Sequence, residues 1–262
     1  FTSCVMRLIF SVFIFICTSL ISCSNSYQQS QNLEIPINTI ERAENIYYRL
    51  GYTVSFNPEL NIPNWVAWEL NSSKLIERES RAGHFYPDPD IPRGIAVETG
   101  DYSNSGYDRG HMCPAADNKW DKQAMRESFY MTNICPQHHN LNRGDWKELE
   151  DDCRRWVEES GTIYIACGPI LYKNDISYIG EERKIRVPNA FFKVILAGLD
   201  EGKPRAIGFI YKNASGNNPL DHYVNSVDQV ERITGLDFFS QLPDDVENEI
   251  ESNYNLNPVS YT

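Results

Sequence analysis

The chain has no C-x-x-C pair, no internal repeat, no long low-complexity stretch and no second hydrophobic run after the one near its start. Without paired cysteines a zinc site of the usual build is not indicated. Without repeats or a later apolar run, the bulk of the chain reads as one well-buried globular domain. Positive charge is also scarce: 24 Lys and Arg stand against 36 Asp and Glu, for a net charge of −12. A tight passive binder of a polyanion would show a basic domain, so that class is disfavoured. Six of the acids (Asp237, Asp244, Asp245, Glu247, Glu249 and Glu251) fall between Leu236 and Thr262, which holds no Lys or Arg. Half of the excess charge therefore sits in the last tenth of the chain, and a local positive groove elsewhere remains open.

What is present begins with Met6-Arg7, followed by an apolar run from Leu8 to Ile21. A basic flank before such a run is the layout of a secretory signal, and translation is expected to start at Met6. The run is short for a membrane span, which needs about 20 apolar residues. It closes with Leu20-Ile21-Ser22-Cys23, which resembles a bacterial lipobox with Cys23 as the lipidated residue. The expectation is a signal peptide over 1–22, a lipidated Cys and flexible tether over 23–45, a folded domain over 46–241 and an acidic polar tail over 242–262. It carries with it an exported, membrane-anchored location facing the periplasm or the exterior. In an oxidising compartment Cys113, Cys135, Cys153 and Cys167 could form two disulfides, with three pairings open.

Thr53–Phe56, Trp65–Leu70, Thr162–Cys167, Phe191–Leu199 and Arg205–Lys212 alternate or run apolar as strands do. Arg81 to Asp108 is rich in Pro, Gly, Asp and Ser and is expected as loop. Asp145 to Ser160 carries Trp146, Leu149, Cys153, Trp156 and Val157 as one stripe of an amphipathic helix. Ser226-Val-Asp-Gln229 opens a second helix and Gly235 stops it. Strands with helices packed on them make an α+β fold.

The chemistry concentrates in Asp108-Arg-Gly-His111, Asn133-Ile-Cys-Pro-Gln137, Leu141-Asn-Arg-Gly-Asp-Trp146 and Leu149-Glu150, with Arg81, Phe85 and Asp88 upstream. Their order and spacing resemble the DNA/RNA non-specific endonucleases, a family with a ββα-metal site that includes secreted bacterial nucleases and mitochondrial endonuclease G. The resemblance implies a central, mostly antiparallel sheet flanked by helices. It also implies metal-dependent endonucleolysis of DNA and RNA that leaves 5′-phosphates, with Mg2+ or Mn2+ as cofactor.

Each residue has chemistry suited to that role. His111 titrates near neutrality and is the candidate general base. Asn142 is the implied metal ligand, since magnesium takes oxygen donors and keeps several waters; a helix N-cap is its other reading. Glu150, ~80° round the helix from Asn142, is placed to hold the waters of the ion. Arg81 and Arg109 offer planar forks to phosphate, and Arg143 and Arg126 could extend the groove. Asn133 and Gln137 are assigned to substrate positioning, and Asp108 to bracing the loop through a buried salt bridge. His138-His139 reads as a surface turn, and Trp146 and Trp156 as core rather than base-stacking platforms beside Trp120. The rival from another class is a catalytically degenerate nucleic-acid-binding lipoprotein.

Overall fold

The computed structural model describes residues 32–252. The apolar run, Cys23, the last ten residues and the part of the expected tether up to residue 31 lie outside that range. Among the described residues no helix is long and apolar enough to cross a membrane.

The organising element is a seven-stranded sheet. In chain order its strands are β2 (Asn45–Tyr48), β3 (Thr53–Asn57), β4 (Ile62–Leu70), β7 (Ile163–Ile170), β10 (Ala190–Ala197), β11 (Arg205–Lys212) and β12 (Val224–Asn225). In space they run β12-β11-β10-β7-β4-β3-β2, and every pairing is antiparallel. Three two-stranded ladders accompany it. They join β1 (Ile37–Asn38) to β13 (Leu236–Asp237), β5 (Asp108–His111) to β6 (Ile134–Gln137), and β8 (Tyr178–Ile179) to β9 (Ile185–Arg186). The helices are α1 (Lys122–Ser128), α2 (His139–Arg143), α3 (Asp145–Ser160), α4 (Val227–Thr234) and α5 (Asp244–Glu251).

Strand β10 shows why the sheet is central, for all eight of its residues are buried. Side chains alternate across a strand, so β10 feeds two cores at once. Phe191 and Ile195 join Trp146, Leu149, Trp156 and Val157 of α3 on one face. Phe192, Val194 and Leu196 meet Val227 and Val230 of α4, Phe238, Phe239 and Ile250 on the other. The amphipathic stripe of α3 is the one its sequence spacing predicts, with all five stripe residues buried. Ser226 caps α4 by accepting from the backbone N of Gln229, and Gly235 ends it at φ +64°, a left-handed value that glycine adopts without strain.

Two expected boundaries are corrected. Residues 33–45 are not a free tether: Leu33 is buried in the second core and β1 pairs with β13. The acidic stretch after 241 is not a plain tail, because Leu242 and Ile250 pack into that core and 244–251 coil as α5. Burial of a few apolar residues outweighs the polar composition around them.

Candidate active site

The short finger β5/β6 stands on the α3 side of the sheet, with Asp108 opposite Gln137 and His111 opposite Ile134. The chain leaves β6 directly into α2, breaks at Gly144 and continues as α3. Strand β5 and helices α2 and α3 therefore present Asp108, Arg109, His111, Asn142 and Glu150 to a single open groove of about 520 Å³.

His111 lies at the base of the groove and is 7% exposed. Its ring is wedged between Phe85 and Phe129, at centroid distances of 5.2 and 4.8 Å. Nε2 is buried without a hydrogen-bond partner, which leaves Nδ1 as the nitrogen that solvent can reach. Among the described residues no carbonyl or carboxylate is hydrogen-bonded to the ring; it packs between the two aromatic rings. Burial, reinforced by the charge of Arg81, lowers the imidazole from its ordinary value to about 3. The ring is thus neutral at physiological pH and free to accept a proton.

Asn142 sits inside α2 rather than at a helix cap, for His138 caps α2 and Gly144 precedes α3. Its Nδ2 donates to Asp108 Oδ2 at 2.9 Å, while its carbonyl oxygen accepts no hydrogen bond from the described residues. Asp108 also accepts from Arg143 Nε and faces His139 Nδ1, both at 3.2 Å. The brace expected of Asp108 is real but half-exposed rather than buried, and it works on α2. Its effect is to hold the amide nitrogen of a groove-lining residue, leaving the side-chain oxygen without a partner among the described residues. Glu150 shares the groove, and burial pushes its carboxyl up to about 7, with Lys193 pulling the other way. Lys193 comes from β10 beneath the site, fully buried, with Nζ 4.5 Å from the Trp146 ring centroid and 5.4 Å from that of Trp68. An amide oxygen and a carboxylate in one groove suit a hard oxygen-seeking cation.

The groove is the positive exception in an acidic chain. Arg81, Arg109, Arg143, Lys147 and Arg154 line it, against Asp108, Glu150 and Asp151. Arg81 lies over Phe129 and Arg109 over Phe85, at 5.1 and 5.0 Å, so each guanidinium is steered by an aromatic face. Arg154 is the functional candidate that sequence reasoning misses. It bonds Asp117 at 2.7 Å, and Asp117 in turn accepts from Trp68 Nε1 at 3.1 Å. The signal was available, since Arg154 lies one turn beyond Glu150 on the same side of α3. Arg126 does not extend this groove; it stacks on Tyr86 in a neighbouring concavity.

Several assignments change. Asn133 is fully buried: it donates to Cys113 O and Ser128 O and accepts from Cys113 N. It fastens the loop after His111 and does not line the groove. Gln137 is likewise fully buried, and a Cβ at Gly110 would stand 2.2 Å from its Oε1. It packs the back of the finger, which explains the glycine between Arg109 and His111. The four cysteines are free and buried instead of paired, and burial raises every one of their thiols. His138 and His139 open α2 and form no metal pair, and Trp146 and Trp156 are core. Asp88 is buried beneath Arg49, which grips both its oxygens at 2.6 and 2.7 Å and so pins the Arg81–Asp108 loop to the sheet.

An antiparallel sheet carrying a two-strand finger, a helix and this groove defines the ββα-metal class of fold. The comparisons agree: a family model described as DNA/RNA non-specific endonuclease matches residues 29–245. The chain belongs to that family, whose members depend on a divalent metal. It is 37% identical over 210 residues to the fission yeast protein "Nuclease 1, mitochondrial", covering 74% of this chain and 65% of that one. It is 36% identical over 211 residues to "Nuclease" of Nostoc, covering 77% and 75%. The solved EndoG/EndoGI complex contains a chain that superposes with a TM-score of 0.72 at 25% identity, covering 79% of this chain and 90% of that chain. The chain spans under two thirds of the length of the fission yeast relative and of the zebrafish "Nuclease EXOG, mitochondrial", of which it covers 62%.

These relatives overturn one expectation. An exported, membrane-anchored lipoprotein does not fit a set of relatives named as mitochondrial in fission yeast, zebrafish, human and budding yeast. The apolar run and the lipobox-like tetrapeptide lie outside the described residues.

Proposed function

We propose that the protein is a sugar-non-specific endonuclease that hydrolyses the phosphodiester bonds of DNA and RNA, giving 5′-phosphate and 3′-hydroxyl ends. The observation that carries this reading is the pairing of a neutral, aromatic-clamped His111 with Asn142, held by Asp108 through its amide nitrogen in the same arginine-lined groove. His111 Nδ1 takes the proton of the attacking water. Arg81 and Arg109, with Arg143 and Arg154, hold the phosphate and its developing charge. Asn142 would hold a Mg2+ ion, with Glu150 fixing its waters; such an ion supplies Lewis-acid polarisation of the phosphate. No residue of the groove is placed to read base edges, which favours weak sequence and sugar preference. The open shape admits a polymer rather than enclosing a small nucleotide.

The test is cleavage of supercoiled plasmid and of structured RNA with and without Mg2+, beside His111→Ala. Wild type should degrade both only with the ion, and the substitution should slow cleavage by ~10²–10⁴-fold. Retention of plasmid without nicking under several divalent ions would refute the reading.

A further inference from the structure

On the face of the sheet opposite the groove, the carboxylates of Asp228 and Glu231 on α4 and of Glu251 on α5 converge. One oxygen from each lies within 4.8 Å of the other two. Asp228 and Glu231 are three residues apart on a helix and so are surface neighbours. Oε1 of Glu231 accepts from the backbone N of Phe238 at 2.8 Å, which fixes the side chain. Glu251 is only 5% exposed, and its Oε1 is buried with no hydrogen-bond partner among the described residues. Glu247, one turn earlier on α5, buries an oxygen in the same condition.

A buried carboxylate oxygen without a donor is costly. Glu251 also closes its helix, where the macrodipole disfavours negative charge. Burial, with surrounding carboxylates, pushes Glu231 up to about 7 and Glu251 up to about 9, and the leading charges acting on both are all acidic. Val246 and Ile250 dock α5 on this face by apolar packing, and the acids they bring together have no positive side chain among the leading charges acting on them.

We propose that Asp228, Glu231 and Glu251 form a structural site for a hard divalent cation, Ca2+, which fastens α5 to α4. The donors are all oxygens, with no imidazole or thiolate among them, which argues against the softer transition metals. Calcium accepts about six to eight oxygens in flexible geometry, whereas magnesium holds its waters and is rarely caged by several carboxylates. The site is independent of the groove, being built on the other face of the sheet from other elements.

The experiment uses the protein freed of metal by chelation and then titrated with Ca2+ alone, followed by calorimetry and thermal melting. Wild type and Asn142→Ala should both bind the ion and gain ~5–10 °C in Tm at about 100 times Kd. Glu251→Gln and, separately, Asp228→Asn should lose that gain while melting no lower than wild type in chelator, because each amide keeps the shape of the side chain and adds no charge to a crowded acidic cluster. The proposal is overturned if Ca2+ produces neither heat nor a shift in wild type. It fails equally if both variants respond as wild type does, or if the gain disappears in Asn142→Ala, which would place the ion in the groove.

Discussion

Asp108 touches neither the scissile bond nor the ion in the proposed reaction, yet it fixes the one amide oxygen that would hold that ion. Asp108→Ala releases Asn142, so the Mg2+ concentration for half-maximal cleavage should rise ~10–100-fold. An unchanged requirement would show that Asn142 is held by other means. His111 calls for a sign to be worked out. Only the neutral ring accepts a proton, and burial and Arg81 carry its titration below the usual value, so neutrality extends into acid. The acid limb of kcat/KM should therefore lie well below pH 6.5. Arg81→Ala raises the ring's pKa, so this variant should lose proportionally more activity at pH 5 than at pH 8. Equal loss at both would confine Arg81 to phosphate binding. The buried thiols make a further check: a chromophoric disulfide reagent should find none of Cys113, Cys135, Cys153 and Cys167 in the native domain, and all four after denaturation.

Among the elements, the finger is held by one close approach. Gly110→Ala places a methyl against Gln137. Overpacking of this kind costs ~1–3 kcal/mol, so Tm should fall by roughly 2–12 °C, with cleavage reduced because His111 moves with its strand. Retained Tm and activity would mean that Gln137 can swing away. The elements also show how far sequence reads. Helix α3 and strands β3, β4, β7, β10 and β11 are legible because their apolar periods are long and uninterrupted. His111, Asn142 and Glu150 are legible because each sits in a spaced motif. Asn133 and Gln137 are misread because a polar residue in a motif does not announce whether it faces solvent or scaffold. Lys193 is invisible: a lysine in a strand reads as an outward-facing residue, and only packing between Trp68 and Trp146 shows it beneath the site. The ladder of β1 with β13 is too short, and too distant in sequence, for any period to reveal.

For the whole molecule, the second core decides where the domain ends. Removing residues after 241 would strip Leu242 and Ile250 from Phe238 and Phe239. Such a protein should melt several degrees lower and bind a hydrophobic dye. An unaltered melt after truncation at 241 would show that α5 adds nothing to stability.

The sheet also separates charge. Arginines gather on the α3 side, while the acids of α4, α5 and β13 crowd the opposite side. The groove is therefore a local positive patch, and the α4–α5 side carries a local negative one. A polyanionic strand drifting toward the acidic rear is turned away, and one approaching the groove is drawn in. Productive encounters become a matter of orientation, and their rate should fall steeply as added salt shortens the reach of both fields.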